Sequence, residues 1–131
     1  MRTLCREFKA AGVRLKLSLG ALPANIAPDL SLALFRVTQE ALNNAAKHSR
    51  ATRIHVRLAS KDGVLLLNIS DNGRGVSLGS KSHLSGRGLG LHSMRERAES
   101  AGGSFELLSA REAGTYITVR IPLDTPERGR K

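Results

Sequence analysis

At 131 residues the chain has the length of one domain, enough for a two-layer core. Its formal charge of +10 favours a polyanionic ligand or an acidic partner, but the cations are spread along the chain and the aromatics are only Phe8, Phe35, Phe105 and Tyr116, so no nucleic-acid partner is expected. No run of about 18 apolar residues can span a bilayer, MRTLCREFKAAG lacks a secretory core, and lone Cys5 makes neither a disulfide nor a thiolate zinc site, so a cytoplasmic domain without membrane contact is expected.

Residues 13–19, VRLKLSL, alternate apolar and polar side chains with the period of a half-buried strand. Pro23 and Pro28 punctuate a turn. From Asp29 onward, Leu30, Leu34, Val37, Ala41 and Ala45 recur at helical spacing, which predicts a helix of about five turns with one buried stripe. Two strands follow at 52–60 and 64–71, and Asp62-Gly63 between them is a hairpin signal. Residues 72–88, rich in Gly and Ser, read as a loop, and loops of that length in a small domain are usually functional. Helical periodicity resumes from 89 to 101 and stops at Gly102-Gly103. Strands at 104–110 and 115–123, around a turn at Glu112 to Gly114, close the domain; the tail 124–131 is expected to be disordered. This order predicts an α/β (α+β) two-layer sandwich over residues 1–123, a mixed sheet with helices on one face and the other face exposed or docked.

Three segments carry candidate chemistry. On the first long helix Glu40 and Asn44 are one turn apart, with Lys47 and His48 a turn further, at the border of the apolar stripe. A carboxylate there can orient a water or hydroxyl, and an amide oxygen can ligate Mg²⁺ held by phosphates; an isolated E-x-x-x-N is more often a solvated helix face. The second segment is DNGRG at 71–75, after the apolar strand. It brings the Asp71 acceptor and bare glycine backbone to one place, as a flat ligand requires, although Asp-Asn-Gly alone is ordinary turn chemistry. The third, GRGLGL at 86–91, opens a helix with three glycines that can turn N–H groups to phosphate, or serve as a lid hinge. It matches neither G-x-G-x-x-G nor the Walker pattern.

In this order the segments resemble the catalytic ATP-binding domain of bacterial sensor histidine kinases, within the superfamily that includes gyrase-type ATPases. FRVTQEALNNAAKHS looks like its asparagine box, DNGRG and GRGLGL its two glycine boxes, and GTYITVRIPL its closing strand. GLHSMRERAESAGG is similar to the nitrate- and lipid-sensor subfamily with short ATP lids. The likeness runs from about residue 10 to 123 and implies a Bergerat-type fold with ATP and Mg²⁺ as cofactors. It implies that Glu40 polarises a water or nucleophile, that Asn44 holds Mg²⁺, and that Lys47 and His48 lie near the phosphates. Asp71 would read the adenine amine, with Gly73 and Gly75 giving close access and Thr115 supporting the Asp71 side. The segment from Val76 to Ser85 would be the lid, and Gly86, Gly88, Leu89, Gly90 and Leu91 its phosphate-facing end.

The family's phospho-accepting, dimerising helical hairpin normally precedes such a domain, and about a dozen residues precede the first strand expected here. The expectation is an excised domain or fragment that binds Mg-ATP without phosphorylating itself. Its partners would be that hairpin, docked near Arg95 and Arg97, and a response regulator downstream. None of His48, His55, His83 and His92 stands in the acceptor context. Two alternatives remain: an anti-sigma-type protein-serine kinase sharing the pocket, and a non-enzymatic basic nucleic-acid-binding module.

Overall fold

The computed structural model describes residues 4–10, 12–23, 25–47, 50–73, 91–109 and 114–123, with backbone alone for 4–10, 46, 47, 91 and 109. A six-stranded mixed sheet is formed by β1 (Leu4–Ala10), β2 (Val13–Leu19), β3 (Arg53–Lys61), β4 (Val64–Asp71), β5 (Ser104–Ser109) and β6 (Thr115–Pro122), in the order β1-β2-β3-β4-β6-β5. Only β2 and β3 run parallel, and α1 (Pro28–Lys47) makes their crossover. The second helix, α2 (Leu91–Ser100), connects towards β5.

β1 is an addition to the sequence reading. It pairs antiparallel with β2 from Leu4↔Leu19 to Ala10↔Val13, across a turn containing Gly12 with φ 80°. The apolar alternation of Leu4, Phe8 and Ala10 is broken by Arg6, which hides the strand's period.

The other elements follow their local signals. Pro28 occupies the first helical position of α1, where its missing N–H costs nothing, and the Ser31 N–H donates to Ala27 O at 3.0 Å. Leu34, Val37, Ala41 and Ala45 are buried, the predicted stripe, with Leu30 packed at its margin. Asp62 and Gly63, with φ of 53° and 77°, make the two-residue turn of the β3–β4 hairpin, the left-handed pair that such a turn requires. α2 ends where the Gly102 N–H donates to Glu99 O and the Gly103 N–H to Ala98 O, both at 2.9 Å, satisfying carbonyls the helix leaves open.

Strand alternation puts Ile54 and Val56 of β3, Leu65, Leu67 and Ile69 of β4, and Ile117, Val119 and Ile121 of β6 on one buried face. α1 lies against β3 and β4, α2 against β5 and β6, and the helices pack on each other. Met94 and Ala98 of α2 join the same core. Burying each large side chain there contributes about 1.5–3 kcal/mol, which makes this helix–sheet seam the main source of stability.

Candidate functional site

Register determines where Asp71 points. The pairs Leu15↔Ile54, Ile54↔Asp71 and Asp71↔Thr115 form one row across the sheet, and Ile54 in that row is buried. Asp71 therefore stands on the helix-covered face, at the last position of β4, as the one acid in a row that is otherwise apolar or hydroxylic on β2, β3 and β6.

The connections bring the other elements to the same end of the sheet. α1 runs into β3, whose start pairs with the end of β4, and the Ala51 N–H donates to Ala45 O at 2.9 Å. The last turns of α1, with Asn44, thus lie at the Asp71 end. Glu40 is one turn earlier, and both side chains are half-buried. α2 ends beside Ser104, which pairs with Arg120 at the far end, so its N-terminal residue, Leu91, is directed back towards the Asp71 end.

Asp71 is half-buried, and its Oδ1 accepts the Gly73 N–H at 2.8 Å. Burial pushes the carboxyl above the ordinary carboxylate range, while the backbone N–H groups of Gly73 and Thr115 pull it the other way. A carboxylate held by two N–H groups and kept from full solvation is an acceptor with fixed direction.

Two contributors escaped the sequence reading. Asn72 Oδ1 accepts the N–H groups of Thr52 at 3.0 Å and Arg53 at 2.8 Å, fastening the chain after Asp71 to the start of β3. Gly114, with φ 84°, is buried against Asp71, and a Cβ there would collide with the Asp71 carbonyl oxygen. Only glycine accepts both the conformation and the approach. The signals were present in the Asp-Asn-Gly run and in the glycine before TYITVRIPL.

Of the predicted residues, Asp71, Gly73 and Thr115 are in contact, and Glu40 and Asn44 share α1 above the same end. Lys47 and Leu91 are placed by backbone alone. His48, Gly75, Val76, Gly86, Gly88, Leu89 and Gly90, with the expected lid, lie outside the described residues. His55 Nε2 pairs with Ser18 Oγ at 2.9 Å and His92 with Glu96 at 3.3 Å, so both have structural partners. The Arg95 guanidinium sits over the Phe105 ring, 5.5 Å from its centroid. A broad groove lined by Ile26, Leu30, Arg97, Ala101 and Leu123 opens at the opposite end of the sheet and contains none of the predicted ATP-site residues. Among the described residues no group of His, Cys, Asp or Glu forms a metal cluster, and no helix is long and apolar enough to cross a membrane.

Residues 29–125 match the family of histidine kinase-, DNA gyrase B- and HSP90-like ATPases. The chain belongs to this family. It is 45% identical over 91 residues to the sensor protein VraS of Staphylococcus aureus, an alignment covering 70% of this chain and 25% of that protein. The chain thus spans about a quarter of the length of the curated relatives it matches. The ATP-binding domain of PrrB from Mycobacterium tuberculosis superposes with a TM-score of 0.66 at 29% identity, covering 83% of this chain and 80% of that one. The histidine kinase AdeS of Acinetobacter baumannii shares the fold, with a TM-score of 0.70 at 19% identity over 88% of this chain and 56% of that one. The expected two-layer fold and the histidine kinase ATPase class are therefore those of this chain.

Proposed function

We propose that this chain binds Mg-ATP at the Asp71 end of the sheet. Within a sensor histidine kinase it donates the γ-phosphoryl group to a histidine of a dimerisation hairpin, for relay to a response regulator. The observation that carries this reading is the half-buried Asp71 carboxylate on the covered face, oriented by backbone N–H groups.

An acceptor so placed takes a hydrogen bond from the exocyclic amine of adenine. Guanine presents a carbonyl oxygen there, leaving two acceptors face to face, so the site discriminates by an unpaired polar group. Gly73 is the bare backbone beside Asp71 that admits the base, and this reading assigns Gly75 and Val76 to the same adenine site. Thr115 steadies Asp71 from β6.

At the phosphate side, Asn44 offers an amide oxygen, a hard donor that suits Mg²⁺. Mg²⁺ held there supplies neutralisation of phosphate charge. Glu40 orients the attacking group, and this reading assigns Lys47 and His48 to the phosphates. This reading also assigns Gly86, Gly88, Leu89, Gly90 and Leu91 to the phosphates, as donors of backbone N–H groups. In the transfer the bond from the γ-phosphorus to the β,γ-bridging oxygen breaks, a bond to the acceptor imidazole nitrogen forms, and ADP leaves. The protein's share is positioning and charge stabilisation.

γ-Labelled ATP with Mg²⁺ tests the reading, given to the chain alone and with a separately produced dimerisation hairpin from a homologous kinase. Acid-labile label is expected on the hairpin and not on this chain. Label on this chain alone, or on serine of a partner, contradicts it.

A further inference from the structure

The sheet face turned away from the helices carries the side chains of Arg14 and Lys16 on β2, Arg53, Arg57 and Lys61 on β3, and Arg120 on β6, all exposed. Among the described strand side chains on that face, the only acid is Glu106 of β5, 3.6 Å from Arg120. The other five cations have no ion pair among the described residues. The β1 residues in register with Lys16 and Arg14 are Glu7 and Lys9, whose charges offset one another.

The arrangement is electrostatically unfavourable as it stands. Arg14 is in direct register with Arg53, so like charges sit side by side across a strand pair, and Lys16 is in register with His55. His55, between Lys16 and Arg57, is pushed below its ordinary value by burial and then by those two cations. Nothing in the packing of the core requires this, because these side chains point away from it. A bound polyanion would relieve it.

We propose that this uncovered sheet face docks on the surface of an anionic lipid bilayer. Three observations favour a bilayer over other polyanions. The cations are spread over β2, β3 and β6 rather than lining a groove, and a bilayer surface takes charge over an area without requiring a matched shape. Leu108 and Tyr116, paired across β5 and β6, are 65% and 40% exposed on the same face, an aliphatic and an amphipathic ring suited to the headgroup boundary. Tyr116 is also the only aromatic among the described side chains of that face, too few for stacking successive bases. The face is opposite to Asp71, so docking leaves the proposed ATP site open. The proposal does not depend on that reading.

The test is flotation of the chain with vesicles of mixed phosphatidylglycerol and phosphatidylcholine, against vesicles of phosphatidylcholine alone. Partition is expected on the anionic vesicles only, weakening with salt, and falling at least about tenfold in Arg14→Glu/Arg57→Glu. Leu108→Ser/Tyr116→Ser removes the apolar contact and is expected to cost about fivefold. Circular dichroism and urea unfolding establish that each variant is folded. Absence of partition, equal partition on both vesicle types, or tighter retention on duplex DNA lost in the same charge-reversal variant would each overturn the proposal.

Discussion

Asn72 and Thr52 hold each other reciprocally: the Thr52 N–H donates to Asn72 Oδ1 at 3.0 Å, and Asn72 Nδ2 donates to Thr52 Oγ1 at 2.9 Å. Thr52 O also accepts the Arg14 N–H at 2.8 Å, so this clamp joins the ends of β2, β3 and β4 beside Asp71. Asn72 is exposed, and its bonds compete with water, so Asn72→Ala is expected to cost only about 1 kcal/mol of stability. The loss should appear mainly in function, as about a tenfold weaker affinity for an ATP analogue, because the segment carrying Asp71 and Gly73 is no longer fixed. Urea unfolding and nucleotide titration of the same variant separate the two effects. Equal affinity for variant and wild type would remove Asn72 from the site.

Gly114→Ala places a methyl group against the Asp71 carbonyl in a left-handed conformation. Both defects are local to one strand start, and together they should cost at least about 2 kcal/mol. A thermal midpoint within a degree or so of wild type would contradict the close approach, since about 1 kcal/mol moves the midpoint of a domain this size by several degrees.

The raised carboxyl of Asp71 fixes the sign of a pH effect. The folded state holds the Asp71 proton more tightly than the unfolded state, so its stabilising contribution is complete below the ordinary carboxylate range. It is lost as pH rises through the raised folded value. Asp71→Asn keeps an oxygen acceptor for the Gly73 N–H and has no charge to bury. The nucleotide-free variant should therefore gain in melting temperature relative to wild type at neutral pH, with the gap narrowing as pH falls through that window. A gap independent of pH would show that burial of the charge carries no cost.

Much of this was legible in the chain. The Leu34, Val37, Ala41 and Ala45 stripe and the Asp62-Gly63 turn are local patterns, and local patterns set α1 and the β3–β4 hairpin. β1 was hidden because Arg6 interrupts its alternation and its stability comes from pairing with β2. At the site, Asp71 could be singled out as an acid at a strand end, but its direction depends on register with Ile54 and Thr115. Asn72 and Gly114 act on residues 19 or more positions away, and no periodicity in the sequence reports such contacts.

Met94 is fully buried and belongs to the core cluster that joins both helices to the sheet. Met94→Ala is expected to cost about 2–5 kcal/mol, the range for emptying a large aliphatic site that cannot collapse. Hydrogen exchange should show the amides of α2 losing more protection than those of β4. Uniform loss across the domain would mean that α2 does not open separately from the sheet.

The central claim is that Asp71 reads adenine in a Mg-ATP site. Calorimetric titration with a non-hydrolysable ATP analogue, with and without Mg²⁺, on the wild-type chain and on Asp71→Ala tests it most directly. Saturable one-to-one binding, tighter with Mg²⁺ and abolished in a folded Asp71→Ala, is the predicted result. Binding of equal strength in Asp71→Ala, or no heat from the folded wild-type chain, would contradict the account.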